Sequence, residues 1–240
     1  MGTRRSPKTL SVSAAITVFP FFFTATAIDM EACYHAHGRG ATHRAALDSV
    51  PDRRNCARVH RRPFLELLGA HTAADDHERA ALERLLGFVE SEPRCFERTL
   101  RTGHVTASAW IVSPDRSQVL LTHHRKLDFW LQLGGHCDGD PDVRAVALRE
   151  AHEESGLADL RVLDDALFDV DVHRIPARGD EPQHFHYDAR FLIEADPSES
   201  LVVSPESKAL AWVKLDALPG VSTDLSVTRM AEKTRNRLQS

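Results

Sequence analysis

Hydrophobic and polar residues alternate along several short stretches in the second half of the chain, and a period of two is typical of β-strands. Alternation is clearest over residues 104–112, and strands are also predicted over residues 118–124, 129–133, 160–172, 184–193 and 209–213. Residues 113–116, Ser-Pro-Asp-Arg, predict a tight turn, so the first two strands should form a hairpin. The pattern therefore predicts a β-rich region that begins near Gly103.

A helical spacing of hydrophobic residues appears in four other segments, two of them before the β-rich region. Residues 63–68 predict a short helix, and Thr72 can cap a longer one that continues through about residue 91. This helical hairpin is too small to hold a core alone, so it should pack against the following region. It could serve there as padding, as a substrate lid or as a dimer surface. The other two helices are predicted over residues 140–156 and 227–238.

The helix near residue 140 is the most informative element of the pattern. Asp140 suits the N-cap position, Pro141 suits the first helical position, and Gly156 suits the left-handed residue that ends a helix. At about 100° per residue, three glutamates fall on one arc of this helix. They are Glu150, Glu153 and Glu154, and they continue a stripe that begins with Val143, Val146 and Ala147. The stripe that should face the sheet therefore begins apolar and ends acidic.

Acidic residues in the last turn of a helix oppose the helix dipole, which favours cations there. One interpretation is a solvated face whose acids pair with neighbouring bases such as Arg149. The other is a site for a divalent metal ion, since carboxylate oxygens are the ligands that hard cations prefer. The residues alone leave both interpretations open.

Residues 135–157 resemble the Nudix box, G-x5-E-x7-R-E-U-x-E-E-x-G-U, in which U is apolar. The fixed positions that match are Gly135, Arg149, Glu150, Ala151, Glu153, Glu154, Gly156 and Leu157. The chain departs from the pattern at one position, where Pro141 replaces the loop glutamate between Asp140 and Asp142. The resemblance spans 23 residues, and the Arg-Glu-x-x-Glu-Glu-x-Gly run within it is specific.

This resemblance implies an α+β fold, a Nudix-like αβα sandwich with a mixed β-sheet, preceded here by the small N-terminal helical hairpin. It also implies a hydrolase that cleaves a pyrophosphate linkage in a nucleoside diphosphate derivative with Mg²⁺ or Mn²⁺. Glu150 and Glu154 would be metal ligands, and Glu153 would be a third ligand or the general base. Arg149 would orient the glutamates, and the backbone at Gly135 would complete the metal site. Because Pro141 replaces the loop glutamate, a catalytically weak module that senses a nucleotide or sugar-nucleotide is the alternative.

Substrate-binding residues are expected on both sides of the box. The candidates are His136 within the motif loop, Arg125 and Lys126 before it, and His184, His186 and Asp188, which share one face of a predicted strand. The histidines could carry protons or line the substrate cleft, and the basic pair could meet phosphate oxygens. The competing interpretations are a hydrated sheet face and an ordinary charged turn.

Composition excludes some classes of function. The formal net charge of −5 argues against a binder of nucleic acid duplexes, which needs a basic surface. The four cysteines show no Cys-x-x-Cys spacing, and reduced thiols in a cytoplasmic protein are the simplest interpretation. No stable membrane association is expected, and a homodimer through the helical hairpin is possible.

The N-terminal segment has a different character from the rest of the chain. Residues 9–28 carry no charge and follow Arg4, Arg5 and Lys8, an order that resembles a secretory signal. A membrane anchor is a second interpretation, and a disordered or spurious extension is the one we favour. The expected organisation is thus an extension over 1–58, the helical hairpin over 59–100 and a Nudix hydrolase domain over 101–240.

Overall fold

A computed structural model describes residues 60–237 of the chain. The predicted extension over residues 1–58, with its signal-like and anchor-like interpretations, lies outside these residues. Within the part that is described, no helix is both long and apolar enough to cross a membrane.

Eight strands join into one mixed sheet. They are β1 (Gly103–Val112), β2 (Gln118–His124), β3 (Trp130–Leu131), β4 (Leu133–His136), β5 (Arg161–Val162), β6 (Asp169–Ile175), β7 (His184–Glu194) and β8 (Ser207–Lys214). The helices are α1 (Arg62–Ala70), α2 (Asp76–Ser91), α3 (Val143–Ser155) and α4 (Leu225–Arg237), and a 3₁₀ helix covers Leu215–Gly220.

Strand β1 is the centre of the sheet. It runs parallel to β7 in continuous register from Gly103, opposite Phe185, to Val112, opposite Glu194, and antiparallel to β2 and β4. Beyond β7 lie β5 and β6, and beyond β2 lie β3 and β8. All ten residues of β1 are buried, including those of its polar positions, although the sequence alternates.

Both faces of β1 are buried because helices cover the sheet on two sides. Val105 and Ala107 pack with residues of α1, α2 and α3, whereas Trp110 and Val112 pack with Val227 and other residues of α4. This is the αβα arrangement that the sequence predicts. The buried apolar side chains of α1 and α2 pack into this core of the same chain.

The two N-terminal helices differ in detail from their predicted bounds. The first helix continues through Gly69, and the second begins later than Thr72, with Asp75 as its N-cap. The Asp75 carboxylate accepts a hydrogen bond of 2.7 Å from the backbone N–H of Glu78, which satisfies one of the free amides of the first turn.

Helix α3 also begins two residues later than the sequence predicts. Asp142 rather than Asp140 is the N-cap and accepts a hydrogen bond of 3.0 Å from the backbone N–H of Ala145. Asp140 accepts from the N–H of Asp142 and so orders the loop, and Pro141 precedes the helix. Gly156 ends the helix with φ of 71°, the left-handed conformation that was expected of it.

The single strand predicted over residues 160–172 is in fact two strands, β5 and β6, joined by residues 163–168. In β6, Asp169 and Asp171 do not form a hydrated face as their polarity suggests. Both are buried and form ion pairs of 3.3 Å with Arg190 of β7, which is 1% exposed. These opposite charges hold the pKa of Asp171 below its usual range against the effect of burial.

Candidate functional site

The end of helix α3 lies against the short strand β4. Gly134 of β4 donates its backbone N–H to Oε2 of Glu154 over 3.0 Å, which fixes the carboxylate against the strand. The next residue, Gly135, lies beneath the side chain of Glu150. A Cβ atom on Gly135 would lie 2.5 Å from Cδ of Glu150, so a larger residue there would displace this carboxylate from its position. The motif glycine therefore makes room for a motif glutamate.

The three glutamates of the α3 stripe differ in exposure. Glu154 is 8% exposed as a residue, whereas the side chains of Glu150 and Glu153 are 16% and 61% exposed. The stripe thus runs from a buried carboxylate to one in solvent within a single turn. Such a gradient suits a site in which a half-buried ion meets a solvated substrate.

Arg149 connects these carboxylates to the motif loop. Its Nη1 lies 3.0 Å from Oε1 of Glu150 and 3.8 Å from Oε2 of Glu153. Its Nη2 donates a hydrogen bond of 3.2 Å to the carbonyl of His136. Arg149 therefore contacts Glu150, Glu153 and the strand β4 together.

The acidic cluster carries more negative charge than the arginine neutralises. Burial raises the pKa of Glu154 to about 7, and the charges of Glu150, Glu206 and Glu153 add to this effect against the hydrogen bond from Gly134. Burial also raises the pKa of Glu150, which Arg149 opposes and Glu153 and Glu206 reinforce. A divalent cation would remove this repulsion, so the donor set fits the metal ion that the family resemblance implies.

Glu206 is not predicted as a site residue by any local pattern in the sequence. It is exposed and lies just before β8, about fifty residues after the box, yet its charge acts on both Glu150 and Glu154. Arg125 fixes this segment by donating to the carbonyls of Pro205, Glu206 and Ser207, over 2.9, 3.0 and 2.8 Å. Arg125 was expected to bind phosphate, but the structure shows it ordering the segment that carries Glu206.

The loop acids that flank Pro141 have other partners. Asp138 lies 3.8 Å from Nε of Arg98, and Asp140 and Asp142 accept backbone N–H groups at the start of α3. The charge of Asp138 nevertheless acts on Glu150, and the charge of Glu206 acts on both Glu150 and Glu154. A loop acid and an acid from a distant segment thus add to the cluster.

Asp188 is placed differently from the expectation that it lines an open cleft. It is 1% exposed and accepts hydrogen bonds from the hydroxyls of Thr106 and Ser108, both at 2.9 Å, and from Nε of Arg190 at 2.7 Å. Gln132 donates to it as well, over 3.3 Å. These donors engage both carboxylate oxygens, so the charge of Arg190 and the hydroxyl groups compensate the cost of burying the Asp188 carboxylate.

The predicted histidines converge, although they are far apart in sequence. His184 and His186 follow each other on one face of β7, and their rings lie 5.1 Å apart. The ring of His104 on β1 lies 5.2 Å from His184 and 4.8 Å from His186, and the ring of His136 lies 5.0 Å from His104. His173 of β6 packs edge-on against His186 at 5.4 Å.

Burial keeps several of these rings neutral. It lowers the pKa of His104 to about 4 and that of His186 to about 2, with the neighbouring histidines acting in the same direction. The pKa of His136 is lowered for the same reason. The sequence predicts three of these five residues as site residues, but not His104 or His173, because nothing in their local pattern marks them as such.

Lys126 lies on the surface beside His124 and contacts that ring through its backbone N–H over 3.3 Å. Burial, together with the charge of Lys126, lowers the pKa of His124. The structure therefore places Lys126 at an exposed turn between β2 and β3.

Comparisons with known proteins point in one direction. The family model described as NUDIX domain matches residues 102–232. Among curated proteins, none matches the chain. The solved structures that the chain resembles include an Ap4A hydrolase of C. elegans, in a binary complex, with 18% identity over 56% of this chain and 97% of that one, at a TM-score of 0.46. A NUDIX family hydrolase of Clostridium perfringens shows 25% identity, with 56% and 97% of the two chains covered and a TM-score of 0.40. A MutT NUDIX hydrolase of Burkholderia pseudomallei shows 26% identity over 55% and 98%, with a TM-score of 0.42.

Proposed function

The chain belongs to the NUDIX domain family and is an enzyme of the Nudix hydrolase type, and we propose that it cleaves a pyrophosphate linkage in a nucleoside diphosphate derivative with a divalent metal ion. The observation that carries the proposal is the buried carboxylate of Glu154. Burial, and then the charges of Glu150, Glu206 and Glu153, raise its pKa to about 7, and it lies in an acidic cluster in which Arg149 is the neighbouring cation. A hydrolase that binds Mg²⁺ or Mn²⁺ together with a phosphate-rich substrate would use such a cluster.

Glu150 and Glu154 are the proposed metal ligands. Both are held by contacts that fix their orientation, Glu154 by the N–H of Gly134 and Glu150 by Arg149 above the surface of Gly135. When bound, Mg²⁺ or Mn²⁺ would neutralise phosphate oxygens and lower the pKa of an attacking water. The backbone around Gly135 would approach the same ion.

Glu153 is proposed as the general base or as a third ligand. Its side chain is the most exposed of the three, so it can reach a water molecule in the substrate cleft. Arg149 is proposed as a positioning residue, because it touches Glu150, Glu153 and the backbone of His136 together. A guanidinium can hold two carboxylates at once through its planar set of donors.

The substrate would lie beside β4 and the ends of β1 and β7. His136 is proposed to contact it, since this half-buried residue directly follows the motif glycines. His184 and His186 remain candidates for the same surface. Lys126 remains a proposed phosphate contact from an exposed turn, whereas Arg125 and Asp188 would act indirectly by ordering neighbouring segments.

The function is tested by hydrolysis of a panel of nucleoside diphosphate derivatives in the presence of Mg²⁺ or Mn²⁺. Glu154→Gln should reduce turnover by about 100-fold or more, because metal coordination contributes several kcal/mol to the transition state. Glu83→Gln is the matched control, since Glu83 is an exposed glutamate of α2. Equal rates in Glu154→Gln and in the unmodified protein would overturn the metal assignment. Binding of panel members without turnover would favour the sensor alternative.

A further inference from the structure

Three histidines from two neighbouring strands bring their ring nitrogens together beside the acidic site. One ligand atom from each of His104, His184 and His186 lies within 4.8 Å of the other two. The pairing of β1 with β7 sets His104 directly opposite His186. His184 lies two residues before His186, on the same face of β7. We define these three residues as the three-histidine cluster.

The ring of His104 is buried with few polar partners. The residue is 3% exposed, and within residues 60–237 neither ring nitrogen has a partner at normal hydrogen-bond geometry, although the backbone of Leu100 is near enough to oppose the lowering of its pKa. Burial of an unpaired polar group costs roughly 1–3 kcal/mol. Folded proteins rarely leave such a group without a partner, so the ring is suited to an additional ligand.

The ring of His184 is oriented with a lone pair toward the cluster. Its Nδ1 lies 2.9 Å from the carbonyl of Pro182, which can only accept, so Nδ1 carries the proton. Nε2 of the neutral ring is therefore an electron-pair donor, and it lies 3.2 Å from Nε2 of His186. A histidine that binds a metal usually donates its other N–H to a carbonyl or a carboxylate in this way.

The spacing of these nitrogens is close to that of a tetrahedral site. With metal–nitrogen bonds of about 2.0–2.1 Å, two ligands of a tetrahedral Zn²⁺ ion are roughly 3.4 Å apart. The pair formed by His184 and His186 already has nearly this separation. The ring of His104 would need to move by at most about 1.4 Å to reach the same separation, since the three ligand atoms lie within 4.8 Å of one another.

We propose that the three-histidine cluster binds a transition metal ion of the Zn²⁺ class, with its fourth coordination position open to water or an anionic oxygen. Imidazole nitrogen suits Zn²⁺, Ni²⁺ or Co²⁺, whereas Mg²⁺ prefers the oxygen ligands of Glu150 and Glu154. The protein would therefore hold two chemically different metal sites side by side. This inference goes beyond the proposed pyrophosphate hydrolysis and does not depend on it.

The test is a Zn²⁺ titration of the full-length, chelator-treated protein in a large excess of Mg²⁺. Bound Zn²⁺ is measured per chain by mass spectrometry of the metal, and Co²⁺ substitution reports tetrahedral nitrogen coordination through its visible absorption. The unmodified protein should retain one more Zn²⁺ per chain than the double variant His184→Gln, His186→Gln. Loss of a coordinating histidine should also weaken the site by at least about tenfold.

Two controls separate this site from others. His123→Gln should retain the Zn²⁺ content of the unmodified protein, because His123 is a half-buried strand histidine whose ring pairs with Asp128 and lies outside the cluster. Glu154→Gln should also retain it, so that failure of the hydrolase proposal leaves this result unaffected. Zn²⁺ held by any other histidine of the chain would be common to all variants.

Circular dichroism verifies that each variant is folded, and the single variant His184→Gln serves if the double variant is not. His184 suits this purpose because it is half-buried at the beginning of β7. No Zn²⁺ binding by the unmodified protein would overturn the proposal. Equal Zn²⁺ content and equal Co²⁺ spectra in the unmodified protein and in the folded variant would overturn it as well.

Discussion

Replacement of Glu154 by glutamine should stabilise the metal-free protein while it removes activity. Glutamine has nearly the same size as glutamate, and its carbonyl oxygen can still accept the hydrogen bond from Gly134 that Glu154 accepts at 3.0 Å. The change therefore removes the buried charge and little else. Since burial and neighbouring acids disfavour that charge, its loss should favour the folded state.

The magnitude follows from the pKa of Glu154. The carboxyl group has a pKa of about 7 in the folded protein against 4.5 for the unperturbed group, so the folded state binds the proton more tightly. As the pH rises from 4.5 to 7, ionisation of Glu154 lowers the stability of the folded state. Above pH 7 this loss of stability amounts to about 3 kcal/mol, at roughly 1.36 kcal/mol per pKa unit. Glu154→Gln escapes this loss, which corresponds to a rise in Tm of about 6–12 °C for a chain of this size.

The assay is thermal and urea unfolding of both proteins at pH 5 and pH 8 in the presence of EDTA. The stability advantage of Glu154→Gln should be about 3 kcal/mol at pH 8 and under about 1 kcal/mol at pH 5. Glu153→Gln is the matched control, because its side chain is 61% exposed and its removal should leave stability nearly unchanged. Addition of Mg²⁺ should raise the Tm of the unmodified protein more than that of Glu154→Gln.

Two results would refute this reasoning. If Glu154→Gln were no more stable than the unmodified protein at pH 8, burial of the charged form would not be costly in this fold. If its advantage were equal at pH 5 and pH 8, the gain would arise from packing and not from ionisation.

Three further changes test other parts of the structure. Gly135→Ala should displace the carboxylate of Glu150 and lower activity by about tenfold or more at nearly unchanged Tm. Gly87→Ala, in open space on α2, is a control that should add about 0.5–1 kcal/mol of stability. Equal activity in Gly135→Ala would show that Glu150 can move without consequence. Arg190→Met should lower the free energy of unfolding in urea by about 3–5 kcal/mol, because it leaves three buried aspartates without their shared cation; a loss below about 1 kcal/mol would contradict the importance of this network. Asp142→Ala should cost about 1 kcal/mol of thermal stability as an N-cap is lost, and an unchanged Tm would argue against that cap.

The box helix could be predicted largely from the sequence. The period of its apolar residues, the acids of its last two turns and Gly156 as its end are all local features of about twenty residues. The start of the helix was predicted two residues too early, because Asp140 and Asp142 are both good N-caps. The choice between them depends on the loop that precedes the helix, in which Pro141 and the contact of Asp140 with the N–H of Asp142 leave Asp142 as the cap.

Strand polarity was a weaker guide to the environment of each residue. Alternation in β1 predicts one solvated face, but helices on both sides bury all of it. Polar residues of β6 and β7 suggested hydrated positions, whereas Asp169 and Asp188 are buried beside Arg190. A buried ion pair and a solvated ion pair are formed by the same residue types, so the sequence does not distinguish them. Only the packing around the residues shows which of the two is present.

By itself, the sequence determined the mixed α and β character of the chain, the box helix and the acidic stripe at its end. These features depend on spacing within one segment, which the geometry of a helix or strand converts directly into a shared face. Tertiary structure alone decided which acid joins the stripe from afar, Glu206, and which histidine meets His184 and His186, namely His104. Such partners are about fifty to eighty residues apart along the chain, and strand pairing rather than any local pattern brings them together.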